Sequence, residues 1–314
     1  MISLRQHAIS LAAVFLALTL GLFLGSGFVG NKMNSLTGTS RDRIGELESE
    51  RDALNDKVNI ANSFDAAIAG RIIADQLRGQ SVLVVAAPNA YGGDVSAVNA
   101  AITGAGGLVA GQLKLTTQLL ADQRSAQLDT IIDQTIPTGA RLRAELVDSG
   151  GRLGDLLGTL LGKSDGRSSA TAADRRTGLQ VLRDGGFIQY ADDAFRAADL
   201  VVVVTGGAFP SDSGAQGQLV ARLAAAMAAR ARGGVLVGRT GSAAGGSPIA
   251  VVRSDPTLSA AVSTVDNIDQ QVGRITSVLV LNSERSGHTG AYGTGAGAKA
   301  ITVGASASQG GPAE

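Results

Sequence analysis

The chain has 314 residues, with 27 basic against 27 acidic side chains and no cysteine. Disulfides, thiolate metal sites and cysteine nucleophiles are thereby excluded, and a balanced charge without a basic stripe argues against nucleic acid as a partner. Aromatic residues make up 3%, with 3 Tyr, 7 Phe and no Trp, too few for the two aromatic girdles of a transmembrane barrel.

Residues 1–30 come first. From Ala8 to Val29 the sequence AISLAAVFLALTLGLFLGSGFV carries no charge. At about 1.5 Å per residue, a helix of this length crosses a hydrocarbon core of about 30 Å. The expectation is an N-terminal transmembrane anchor. Arg5 precedes it and Lys32 follows, and the positive-inside rule then places the rest of the chain outside the cytoplasm, in the cell envelope. The small residues Gly25, Ser26 and Gly27 leave open a cleaved signal peptide, and a buried core helix is a third reading.

Residues 31–75 read as a polar linker, Asn31 to Ser40, followed by a charged helix. Ile44, Leu47, Leu54, Val58 and Ala61 recur at three- and four-residue spacing, with Arg51 interrupting the seam. So narrow a stripe predicts a short coiled coil, a parallel homo-oligomer standing on the membrane. The alternative is a single helix packed on its own domain.

Residues 76–304 alternate between strand and helix signals. Ser81–Ala87 is an apolar, β-branched run ended by Pro88, as in a buried parallel strand. Asp94–Thr103 reads as a helix stopped by glycines and Leu108–Leu115 as the next strand, completing a βαβ unit. Helices are expected within Thr116–Ile136, through Leu142–Leu161 and over Asp174–Asp184, with a surface loop at Lys163–Ala173 and a short strand at Phe187–Tyr190. Leu200–Val204 (LVVVV) is the strongest strand signal. Thr205-Gly206-Gly207 turns out of it, Gly217–Arg232 is helical, and Val235–Val237 is a further strand. Ile249–Val252 and Ile275–Leu281 add strands or a closing helix. The predicted fold is α/β, a Rossmann-like, mainly parallel sheet with helices on both faces. Residues 305–314 read as a disordered tail.

Candidate sites are sparse. Thr205, Gly206 and Gly207 follow a central strand, where open α/β sheets bind ligands, so the turn is a candidate anion cradle; its other reading is a tight strand-to-helix turn. His288, in SGHTGAYGTGAG, is the candidate metal ligand, read equally as a surface residue. No HxxxH or CxxC occurs, and Met1, Met33 and Met227 lie far apart, so a soft Cu(I) site is not evident. No GxSxG occurs, and the adjacent carboxylates Asp192 and Asp193 are of a kind common on solvated surfaces. No catalytic residue and no cofactor is therefore assigned, and the chain is expected not to be an enzyme.

Several blocks carry a resemblance. MISLRQHAISLAAVFLALTLGLFLGSG, RDALNDKV, VVVVTGGAFPSDSGAQG, STVDNID, GRITSVLVLN and SGHTGAYGTGAGA are similar to passages of the actinobacterial copper transport outer-membrane family MctB, from Met1 to about Val303. The resemblance implies a mycobacterial-type, channel-forming envelope protein that promotes copper efflux and limits intracellular copper, with copper as the transported ion. The residues point elsewhere. A single membrane helix forms no pore alone, and the strand signals are continuous apolar runs rather than the alternating pattern of a water-filled barrel. A second expectation is thus a membrane-tethered coiled-coil scaffold that binds envelope or wall-remodelling proteins and has no pore of its own.

Overall fold

The computed structural model of the chain describes residues 14–18, 28–164, 166–191 and 195–304. The chain divides into two units, Met1–Ala61 and Asn62–Glu314. In the first, residues 14–18 are helical, and α1 (Phe28–Ile73) begins at Phe28 and runs on into the second. No helix among the described residues is long and apolar enough to cross a membrane, which overturns the expected transmembrane helix. Most of the Ala8–Val29 segment lies outside the described residues, as do Asp192, Asp193 and residues 305–314. The expected linker, Asn31 to Ser40, is helical. It is polar and carries one glycine, Gly38, but α1 contains no proline to stop propagation.

The second unit is a seven-stranded sheet in the order β5-β2-β1-β6-β7-β8-β9. In chain order the strands are β1 (Ser81–Ala86), β2 (Leu108–Leu115), β5 (Ile188–Gln189), β6 (Leu200–Val204), β7 (Gly234–Val237), β8 (Ser263–Val265) and β9 (Ala291–Tyr292). Neighbours pair in parallel except β2 with β5, which are antiparallel through Lys114–Gln189 and Leu115–Ile188. The sheet is therefore mixed, parallel except at its β5 edge. Only two residues form β5, too few for the sequence pattern to declare a direction. A separate hairpin, β3 (Lys163–Ser164) with β4 (Arg167–Ser168), occupies part of the expected 163–173 loop.

The continuous apolar runs bury both sheet faces. Leu83, Val85, Val201 and Val203 enter one core, while Val82, Val84, Val202 and Val204 enter the other. On the second face lie α2 (Gly92–Gly104) and α9 (Gln271–Glu284), through Val95, Val98, Ile102, Val278 and Leu281. The last turns of α1 add Ala69 and Ile73. The first face takes α3 (Ser125–Thr135), α4 (Ser149–Leu161), α5 (Ala172–Asp184), α6 (Gln216–Ala228), α7 (Pro248–Ser254) and α8 (Pro256–Ala261).

Local chemistry sets the helix starts. Thr171 and Asp174 form a reciprocal capping box on α5. Asp148 caps α4 by accepting from the Gly151 amide at 2.8 Å, so the helix begins at Ser149 and not at Leu142 as the apolar pattern suggested. Glycines 150, 154 and 158 of α4 fall every fourth residue along one face. A Cβ at Gly150 or Gly154 would lie 2.5 or 2.4 Å from the carbonyl oxygen of Leu219 or Leu223 on α6, and one at Gly158 would lie 2.7 Å from Arg230 Cβ. The two helices thus pack backbone against backbone, which side chains at those positions would prevent.

At the amino end of the sheet, Glu284 is buried, with Oε1 accepting from the amide and hydroxyl of Ser263. Burial pushes its carboxyl up to about 7, despite those hydrogen bonds. A carboxyl raised in the folded state binds protons that the unfolded chain has released. Its contribution is complete in acid and is lost as pH rises toward 7. Stability is expected to fall between pH 4.5 and 7 by on the order of 3 kcal/mol, read from denaturant midpoints, and Glu284→Gln is expected to flatten that slope. A wild-type curve flat over this window contradicts the assignment.

Candidate functional site

The order of the parallel strands reverses between β1 and β6, so the chain leaves their carboxyl ends in opposite directions. Open α/β sheets bind ligands in the crevice at such a switch point. Here the crevice holds about 320 Å³ and is lined by Asn89, Tyr91, Gly207, Phe209, Pro210 and Gln216, among others. Of the predicted turn, Thr205 and Gly206 are buried and hold three strands together. The Thr205 amide donates to the Val237 carbonyl at 2.8 Å, and its hydroxyl donates to Asn89 Oδ1 at 3.1 Å. The Arg239 amide donates to the Gly206 carbonyl at 3.1 Å. A Cβ on Gly206 would sit 2.5 Å from the Asn89 carbonyl oxygen, so only glycine permits this approach. Gly207 alone of the three lines the crevice.

Charged residues gather beside it. The Arg239 guanidinium stacks 4.4 Å from the centre of the Tyr91 ring and lies 3.7 Å from Asp94. Burial raises the Asp94 carboxyl above its usual range; Arg239 and Arg274 oppose the rise and Asp269 adds to it. Asp269 in turn accepts from the amide and hydroxyl of Thr240 at 2.9 and 3.2 Å. Asp94 Oδ2, Ser242 Oγ and both polar atoms of the Asn267 amide are buried without a hydrogen-bond partner in the structure. A buried polar group left so costs about 1–3 kcal/mol, and such groups in native proteins call for an explanation such as an ordered water or an ion. Sequence reading missed these residues. Asp266-Asn267, a polar pair directly after a strand inside STVDNID, was the available signal.

The glycine-rich C-terminal block is held by an ion pair. Arg253 and Asp266 are 4% and 1% exposed. Arg253 also donates to the carbonyls of Tyr292 and Ala296, each at 2.8 Å, and to Thr264 Oγ1 at 3.0 Å. Asp266 accepts from the amides of Thr294 and Gly295 at 2.8 and 3.0 Å. Gly293 has φ +123°, and a Cβ there would lie 2.2 Å from Asp266 Oδ1. The glycine density of GAYGTGAG therefore answers to backbone wrapped around a buried carboxylate. His288 lies outside this clamp and is exposed, its amide donating to the Ser283 carbonyl. Among the described residues no group of three His, Asp or Glu side chains is placed to hold a metal ion.

The predicted seam residues lie on α1 within the first unit. Ile44, Leu47, Leu54 and Val58 are 55%, 57%, 53% and 51% exposed, and Ala61 is exposed as well.

Sheet order, covered faces and crevice define a doubly wound α/β protein, a fold that hosts many functions. The chain matches the model of the family described as "Copper transport outer membrane protein, MctB" over residues 1–303, and it belongs to that family. It is 44% identical over 312 residues to "Copper transporter MctB" of Mycobacterium tuberculosis strain H37Rv, covering 96% of this chain and 99% of the relative. It is 45% identical over 315 residues to the protein of the same name from Mycobacterium leprae, with the same coverage.

Proposed function

We propose that this protein acts at the cell envelope to limit cellular copper by supporting its export, with copper as cargo and without catalysis. The observation that carries the reading is family membership over residues 1–303, joined to relatives of matching length that bear the name copper transporter. The sheet bears on the manner of export. A barrel wall needs strands with one polar face toward the lumen, whereas β1, β6 and β7 are buried at every position. The α/β unit therefore serves as a folded body, and any conducting path arises from an assembly of several chains. A second reading, a scaffold that binds envelope proteins and affects copper indirectly, is favoured by the exposed apolar seam of α1.

Deleting the gene in its own host is expected to raise cell-associated copper several-fold under copper load, measured by mass spectrometry, and re-expression is expected to restore it. Unchanged copper overturns the proposal. The purified chain in a planar bilayer separates the two readings, since ion currents absent from a heat-denatured control favour transport and their absence favours the scaffold. His288→Ala is expected to rescue copper control fully, because the side chain is exposed and belongs to no metal-binding group among the described residues. Failure to rescue would make His288 a ligand on the copper path.

A further inference from the structure

We propose that α1 pairs with α1 of a second copy of this chain in a parallel, in-register two-stranded coiled coil over Ile44–Ala61. This goes beyond the copper reading and does not depend on it.

The argument starts from heptad positions. With Ile44 at position a, the seam reads Ile44 (a), Leu47 (d), Arg51 (a), Leu54 (d), Val58 (a) and Ala61 (d). The 3–4 alternation is unbroken across the segment. β-Branched residues at a with leucine at d favour two parallel strands over trimers or tetramers. Here Ile44 and Val58 are at a, and Leu47 and Leu54 are at d. All four present half or more of their surface to solvent in the single chain, an apolar stripe of the kind a partner helix covers.

Charge selects the orientation. In a parallel dimer each g residue faces the e residue five positions on in the partner helix. Arg43 (g) then faces Glu48 (e), an opposite-charge pair made twice by the two-fold symmetry. The next such pairs, Glu50 with Asn55 and Lys57 with Asn62, bring no like charges together. Arg51 at a would be the one charged layer of the seam. Glu50 (g) of the opposing helix flanks it, and a single polar a residue fixes register at a cost in stability. The guanidinium already reaches outward to Asp52 at 2.9 Å, so its stem can lie in the seam while its charge stays wet. Ile60, 70% exposed at position c, is not explained by this pairing.

The absence of native cysteine gives a clean test on the full-length chain. Leu47→Cys, Leu54→Cys and Ala61→Cys each place one thiol at d, where two parallel in-register helices bring it within disulfide reach of its copy. Gly45→Cys, at b, faces away. Under mild oxidation all three d variants are expected to cross-link to a species of twice the chain mass and Gly45→Cys is not. Light scattering on the unoxidised wild type should give the same doubled mass, and Leu54→Asp should weaken self-association at least tenfold. Cross-linking at one d position only would indicate antiparallel pairing. A trimeric mass would replace the dimer, and a single-chain mass with no cross-link at any d position would leave α1 unpaired; each of the three overturns the proposal.

Discussion

Arg253→Met is expected to lower folding stability by about 3–5 kcal/mol, the cost of breaking a buried ion pair by removing one partner. The methionine keeps the hydrophobic stem and removes only the charge and its donors. Asp266, 1% exposed, would then be left with the two amides of Thr294 and Gly295 and no cation. The Ala296 carbonyl would lose its guanidinium donor at the same time, and the Tyr292 carbonyl would keep only the Asp266 amide at 3.3 Å. Denaturant midpoint at constant m-value measures the effect, and limited proteolysis should show new cleavage within residues 290–300. Arg253→Met combined with Asp266→Asn should recover part of the loss, since the second change removes the stranded charge. A single-variant loss below about 1 kcal/mol would place the pair with surface ion pairs in energetic terms, against the burial described above.

Asp155→Ala carries the second large effect. Asp155 sits in α4 with no exposed surface, accepting from Arg143 at 2.8 Å and from Arg230 at 2.7 Å. Arg143 also reaches the Ala226 carbonyl, and Arg230 the Arg141 carbonyl, so this one carboxylate ties the segment before α4 to the end of α6. Burial alone would raise its carboxyl, but the hydrogen bonds from Arg230 and Arg143 hold it below the usual range. Both arginines keep 23–30% of their surface in water and can be resolvated once the carboxylate is gone. The expected loss at neutral pH therefore lies near the lower end, about 3 kcal/mol. A depressed carboxyl contributes fully above its unfolded value and loses that contribution as pH falls through the folded one. Wild type and variant should consequently converge in strong acid. A gap independent of pH would mean that packing, and not charge, supplies the difference.

These two ion pairs show where sequence reading stops. Arg253 and Asp266 stand thirteen positions apart, and Asp155 and Arg230 seventy-five. Nothing in their spacing distinguishes them from surface charges, because an ionised side chain reads alike in sequence whether it is solvated or buried with a partner. The glycine-rich block was legible as a feature. Its cause was not, since Gly293 is dictated by a carboxylate from another segment. The same holds for Thr205-Gly206-Gly207. Position after a central strand marked the turn, but only the two neighbouring loops, through Asn89 after β1 and Arg239 after β7, show that Thr205 and Gly206 are occupied in holding the crevice together.

Sequence by itself determined the α/β class, the strands β1, β2, β6 and β7 and the crossing helices between them. Those features depend on local periodicity, and apolar runs of four to eight residues state their burial directly. Tertiary structure alone decided the antiparallel edge at β5, the three-residue strand β8 and the two-residue strand β9, the start of α4 at its Asp148 cap and the fate of the buried charges. Each of these rests on partners distant in sequence, and a hydrogen bond or ion pair made across the fold leaves no period along the chain.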